Sequence, residues 1–121
     1  MSPAELKLRT KEFALRIIKL VGALPKNVEG RAIANQLVRS GTSVAANYRG
    51  TCRARSRTEF VAKLGVVLEE ADETQLWLEL IVDSGLLPVK RIEPLLQEAG
   101  ESVAIFVSSR KSASSNLKST I

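Results

Sequence analysis

The sequence predicts an all-α protein, an antiparallel up-and-down bundle of four helices, on three observations. Apolar residues recur at spacings of three and four in four separate segments, glycine and proline fall between those segments, and no run alternates polar and apolar residues as a half-buried strand would. With 121 residues and no stretch of eighteen uninterrupted apolar residues, a single soluble domain without a membrane span is expected.

The first helix is predicted from about Ala4 to Ala23, with Pro3 suited to its first turn and Leu6, Phe13, Ile17, Leu20 and Leu24 as its apolar stripe. "LPKNVEG", residues 24 to 30, breaks it. The second helix carries Ile33, Leu37, Val44 and Tyr48 at compatible spacing. The third has the clearest period: Phe60, Leu64, Val67, Ala71, Thr74, Leu78 and Ile81 form one narrow stripe from about Arg57 to Asp83. Ser56 followed three residues later by Glu59 reads as a capping box at its start, and Gly85 in "SGLLP" is placed to take the left-handed conformation at its end. The last helix offers Ile92, Leu95, Ala99, Val103 and Phe106, and "AGES" at residues 99 to 102 leaves their phase intact. The bundle is set at residues 1 to 107. The serine-rich basic segment 108 to 121 has the composition of a frayed or disordered tail, although Ala113 and Leu117 keep the phase of a continuing helix.

Val66, Leu76, Trp77 and Leu80 fall outside the third helix's core stripe at about 100° per residue. They are either bundle core in a different phase or a subunit interface with Trp77 as its aromatic anchor.

Composition closes most catalytic routes. With no histidine, the usual zinc sites, Ser-His-Asp and Cys-His machinery and histidine acid-base chemistry are excluded; the single Cys52 forms no internal disulfide and reads as a passive small residue beside a turn. Glu69 and Glu73 in "EEADE", residues 69 to 73, share a helix face, but carboxylate-bridged iron bundles also require histidines, so pairing with Arg or Lys of a neighbouring helix or subunit is the expectation. No enzyme activity, cofactor or metal is expected. The N-terminus, "MSPAELKLRTKEF", is charged and lacks the apolar core of a signal peptide, which makes the cytoplasm the expected compartment.

The chain carries 18 Lys plus Arg against 13 Asp plus Glu, a net charge of +5 and a pI near 9.7, which makes polyanions plausible partners. Arg49, Arg53, Arg55 and Arg57 lie within nine residues, offset locally by Glu59 alone. Guanidinium matches phosphate bidentately, so this cluster is the candidate grip on a nucleic-acid backbone; the opposing reading is a solvated helix junction in which Arg57 pairs with carboxylates of the next helix. Just before it, "SVAAN" has a structural reading: Ser43, Ala45 and Ala46 allow close helix approach, and Asn47 satisfies polar groups inside the bundle.

Residues 39 to 87 resemble a bacterial four-helix-bundle family known from open reading frames in intervening sequences of large-subunit ribosomal RNA genes, itself similar to the accessory variability proteins of diversity-generating retroelements. The likeness rests on "RSGTSVAAN", a basic turn, "EF" opening the next helix, "EADETQL" in its second half and "SGLL" at its end. The resemblance implies an up-and-down bundle assembled as a homopentamer, and binding of RNA or DNA or of a nucleic-acid enzyme such as a reverse transcriptase through basic surfaces. It implies no catalysis. This chain departs from the family at the turn, where Tyr48, Arg49 and Gly50 follow Asn47 in place of a run with an acidic residue before the glycine. Two function classes follow: an oligomeric nucleic-acid-binding protein, accessory to a nucleic-acid enzyme, and a protein-interaction scaffold. With few aromatics free to stack on bases, backbone binding is favoured over sequence-specific readout.

Overall fold

The computed structural model describes residues 1–120, with side chains as far as Asn116. Four helices account for nearly all of it: α1 (Pro3–Val21), α2 (Val28–Thr51), α3 (Arg57–Ser84) and α4 (Val89–Thr120). Consecutive helices pack side by side, α4 returns to α1, and among the described residues the backbones of the diagonal pairs α1/α3 and α2/α4 stay apart. The predicted four-helix bundle is the observed fold.

Local signals set the helix ends. Ser2 caps α1, its hydroxyl accepting from the Glu5 N–H at 3.1 Å, with Pro3 at the first helical position where no N–H is needed. Asn27 caps α2 through the Gly30 N–H at 2.8 Å. The turn folds back so tightly there that a side chain on Gly30 would begin 2.0 Å from the Pro25 carbonyl oxygen. Ser56 caps α3 through the Glu59 N–H at 3.1 Å, while Glu59 reaches back to the Arg55 N–H, one residue beyond the usual reciprocal partner. Gly85, at φ 72°, ends α3 in the left-handed region as expected.

The core divides along the bundle axis. At the end closed by the α1–α2 and α3–α4 turns, Phe13, Ile17, Leu20 and Leu24 meet Leu37, Leu78, Ile81, Ile92, Leu95 and Ala99, with Leu86 and Leu87 folded over them. At the other end Leu6, Val44, Tyr48, Leu64, Val67, Ala71 and Phe106 form a smaller cluster. Between the two, the buried Ser40 and Thr74 hydroxyls join α2 to α3 at 2.9 Å. Beside them a side chain on Gly41 would begin 2.9 Å from Ile17, so α1 and α2 approach closely here.

That contact relocates the close approach expected of "SVAAN". Ala46 is exposed and Ser43 and Ala45 only half-buried; Ser40 and Gly41, one turn earlier, are the fully buried small residues. The polar pair inside the bundle is accordingly Ser40 with Thr74, while Asn47 stays half-buried and contributes its main-chain carbonyl to the Thr51 hydroxyl at 2.9 Å. The inward face of α2 is the one sequence spacing suggested, with Leu37, Val44 and Tyr48 buried, and Ser40 and Gly41 lie on that same face.

The α1–α4 seam is the loosest. It is spanned by Arg9, whose guanidinium takes Glu98 in a two-pronged grip at 2.6 and 2.9 Å and reaches Glu101 at 3.2 Å. α4 itself continues as helix beyond residue 107 to Thr120. Ala113 is buried, and the Arg110 guanidinium lies over Gly65 of α3 and donates to the Val61 carbonyl at 3.2 Å. Leu117, the other residue in phase, lies outside the described side chains.

Candidate nucleic-acid interface

Arg49 lies in the last turn of α2, Arg53 and Arg55 in the turn that follows, and Arg57 at the first position of α3. All four are exposed. The Cys52 and Arg53 N–H groups close the turn onto the Tyr48 and Gly50 carbonyls, and the Ser56 cap sets the direction in which α3 departs. One short, hydrogen-bonded corner thus presents the whole cluster, as the spacing predicted.

The local charges do not cancel it. Lys63 takes Glu59, the one carboxylate between residues 49 and 63, at 3.0 Å. Lys63 and, after it, the Arg55 N–H hold the Glu59 carboxyl below its ordinary value, so it stays ionised but already matched. Among the described residues none of the four guanidinium groups is in an ion pair, Arg57 included. What the corner can do chemically is donate a dense set of N–H groups, at permanent positive charge, to an anion that the described residues do not supply.

Beside the corner the bundle end is hollow. A cavity of about 890 Å³ opens between Leu6 of α1, Tyr48, Thr51 and Cys52 of α2, Phe60 of α3 and Ile105 of α4, with Arg57 on its wall. The Tyr48 ring packs at 5.9 Å from Phe106, and burial, with Cys52 beside it, pushes the phenol well above its ordinary pKa. It is a neutral packing group at physiological pH. Sequence spacing held no signal for this hollow, which depends on how far apart the helix ends sit.

Of the carboxylates of "EEADE", Glu73 pairs with a neighbouring helix as the argument expected and Glu70 joins it, while Glu69 has no ion pair among the described residues. Arg39 of α2 reaches Glu70 at 3.3 Å and also holds Glu73, and Glu73 accepts the Trp77 indole N–H at 3.1 Å. Trp77 is half-buried and packs against the closed-end core. Val66, Leu76 and Leu80, grouped with it on sequence grounds, stand clear of the chain's own core and are exposed. Spacing alone missed a second exposed apolar set: Leu8, Leu15 and Ile18 of α1. It was legible in principle, because all three lie off the stripe that contains Leu6, Phe13 and Ile17.

Residues 5–108 match the model of the 23S rRNA-intervening sequence protein family. Among solved structures, the chain is similar to a crystal structure of a protein of unknown function from the S23 ribosomal protein family of Bacteroides thetaiotaomicron VPI-5482. The two share 33% sequence identity and superpose with a TM-score of 0.84 over 92% of this chain and 99% of that one. No curated protein matches the chain. Among the described residues no helix is long and apolar enough to cross a membrane.

Proposed function

The chain belongs to the 23S rRNA-intervening sequence protein family, and from that premise we propose that it is a non-enzymatic, homo-oligomeric cytoplasmic protein that binds the backbone of RNA or DNA through Arg49, Arg53, Arg55 and Arg57. One observation carries this reading: four exposed guanidinium groups share a corner in which the local carboxylate is already taken by Lys63. A free phosphate backbone supplies the missing anions, and neutralising it releases condensed counterions. Assembly as a pentamer, which the family resemblance implies, repeats the corner around the oligomer and multiplies a weak single contact. A reverse transcriptase or another nucleic-acid enzyme bound to the same polyanion is the partner class that suits such a protein.

The exposed apolar residues of α1 and α3 favour a second reading, a scaffold that binds only protein. The two separate in a retention assay with random single-stranded and duplex oligonucleotides at about 50 and 200 mM salt. Replacing Arg53, Arg55 and Arg57 together by alanine is expected to weaken binding equally across sequences. It should also flatten the logarithmic salt dependence by up to about three on duplex DNA, one for each lost phosphate contact. Unchanged affinity and slope in the folded variant would remove the corner from the binding surface, and no binding by the parent protein would favour the scaffold.

A further inference from the structure

The two exposed apolar stripes belong to helices on opposite corners of the bundle, and their charged surroundings have opposite sign. Leu8, Leu15 and Ile18 of α1 are flanked by Lys7, Lys11 and Lys19; Val66, Leu76 and Leu80 of α3 are flanked by Glu69, Asp72 and Asp83. The six apolar residues are between 37% and 57% exposed, and all six charged ones are exposed with no ion pair among the described residues. At about 100° per residue the three lysines project within one side of α1, opposite the core residues, and the three acids do the same on α3. The residues of contrary sign, Glu5 and Glu12 on α1 and Arg57 and Lys63 on α3, lie at the edges of these faces or off them, and Lys63 is occupied by Glu59.

We propose that these faces are the two halves of one heterologous subunit contact, in which α1 of one copy packs on α3 of the next. The assignment rests on the oligomeric reading above and specifies its geometry. A two-fold contact of α1 on α1 would set lysine against lysine, and α3 on α3 would set carboxylate against carboxylate. Only the head-to-tail pairing matches apolar stripe to apolar stripe and basic flank to acidic flank. The levels agree as well. Leu6 shares a core cluster with Leu64 and Val67, and Phe13 and Ile17 share the other with Leu78 and Ile81. Leu8 therefore stands at the height of Val66, and Leu15 and Ile18 at that of Leu76 and Leu80. Since α1 and α3 run in the same direction, copies related by rotation about an axis along the bundle meet in register. Two unlike faces on one subunit chain copies together and close into a ring when the rotation permits.

Charge reversal tests the pairing. K7E/K11E/K19E gives a chain acidic on both faces, and E69K/D72K/D83K one basic on both; each is expected to elute as a 13.2 kDa monomer in light scattering at micromolar concentration, with helical circular dichroism retained. The chain carrying all six substitutions regains complementarity and is expected to assemble again at the parent's mass. A parent oligomer whose mass neither triple variant alters would overturn the α1–α3 pairing while leaving oligomerisation intact. A parent that is itself a monomer would overturn both. Failure of the six-substitution chain to reassemble, when the folded triple variants are monomeric, would also overturn the complementary pairing.

Discussion

The two ends of the bundle are built to different densities. The closed end draws ten buried apolar residues from α1, its following turn and the other three helices, and turn leucines fold over them. The open end has seven, and beside them a cavity of about 890 Å³. The arginine corner belongs to the second region, where side chains rest on a wall that is already incomplete. Cohesion and recognition are thereby separated along one axis, and a change of charge at the corner leaves the dense half untouched.

Truncating one leucine at each end breaks or confirms this contrast with the largest effect. Leu78, fully buried in the closed end, has neighbours on every side that cannot collapse into the space it leaves; Leu78→Ala is expected to cost about 4 kcal/mol in urea denaturation. Leu6 already lines the cavity, so Leu6→Ala should cost about 2 kcal/mol, near the transfer term alone. Equal losses would mean that the open end is as tightly packed as the closed one.

A smaller effect sharpens the boundary between the regions. Thr74→Val removes the hydroxyl that Ser40 meets at 2.9 Å, leaving the buried Ser40 with only the Leu37 carbonyl at 3.4 Å. The expected loss is about 1–2 kcal/mol, again read from denaturation, because the buried Ser40 oxygen loses the hydroxyl that donates to it, and an under-satisfied buried polar group costs more than the bond itself contributed.

The smallest effect is a pH dependence on the α2–α3 surface. Arg39 and, after it, the Trp77 indole N–H hold the Glu73 carboxyl below its ordinary value. A carboxylate with a lowered folded pKa contributes stability that is complete above its unfolded value, about 4.3, and lost as pH falls through the folded one. The urea midpoint should therefore decline below about pH 5 more steeply in the parent than in Arg39→Met. The emission of Trp77, the chain's single tryptophan, should change over the same interval. Parallel pH curves for the two proteins would show that the pair adds nothing.

Much of the fold was legible because it is written locally. The Ser56 and Gly85 ends of α3, its seven-residue stripe and the arginine corner depend on residues within a few positions of one another, and periodicity reports them. Which small residues of α2 make the close contacts was not legible. Gly41 meets Ile17 of α1 and Ser40 meets Thr74 of α3, relations between helices that no window on one of them contains. Trp77 illustrates the same limit: its place off the core stripe left bundle core and subunit interface both open, and its ring packs against the closed-end core while its N–H meets Glu73. The cavity is less accessible still, being set by the spacing of four helix ends.

The loose α1–α4 seam has a thermodynamic consequence. α2, α3 and α4 adjoin one another along two well-packed seams, whereas α1 has one such seam and the Arg9 clamp. Detachment of α1 is then the least costly partial unfolding of the subunit, and its backbone amides exchange with solvent ahead of those in α3. A neighbouring subunit bound to the outer face of α1 would recognise the docked helix and not the detached one, so docking and association become linked equilibria. Raising the protein concentration would then slow exchange in α1 more than in any other helix.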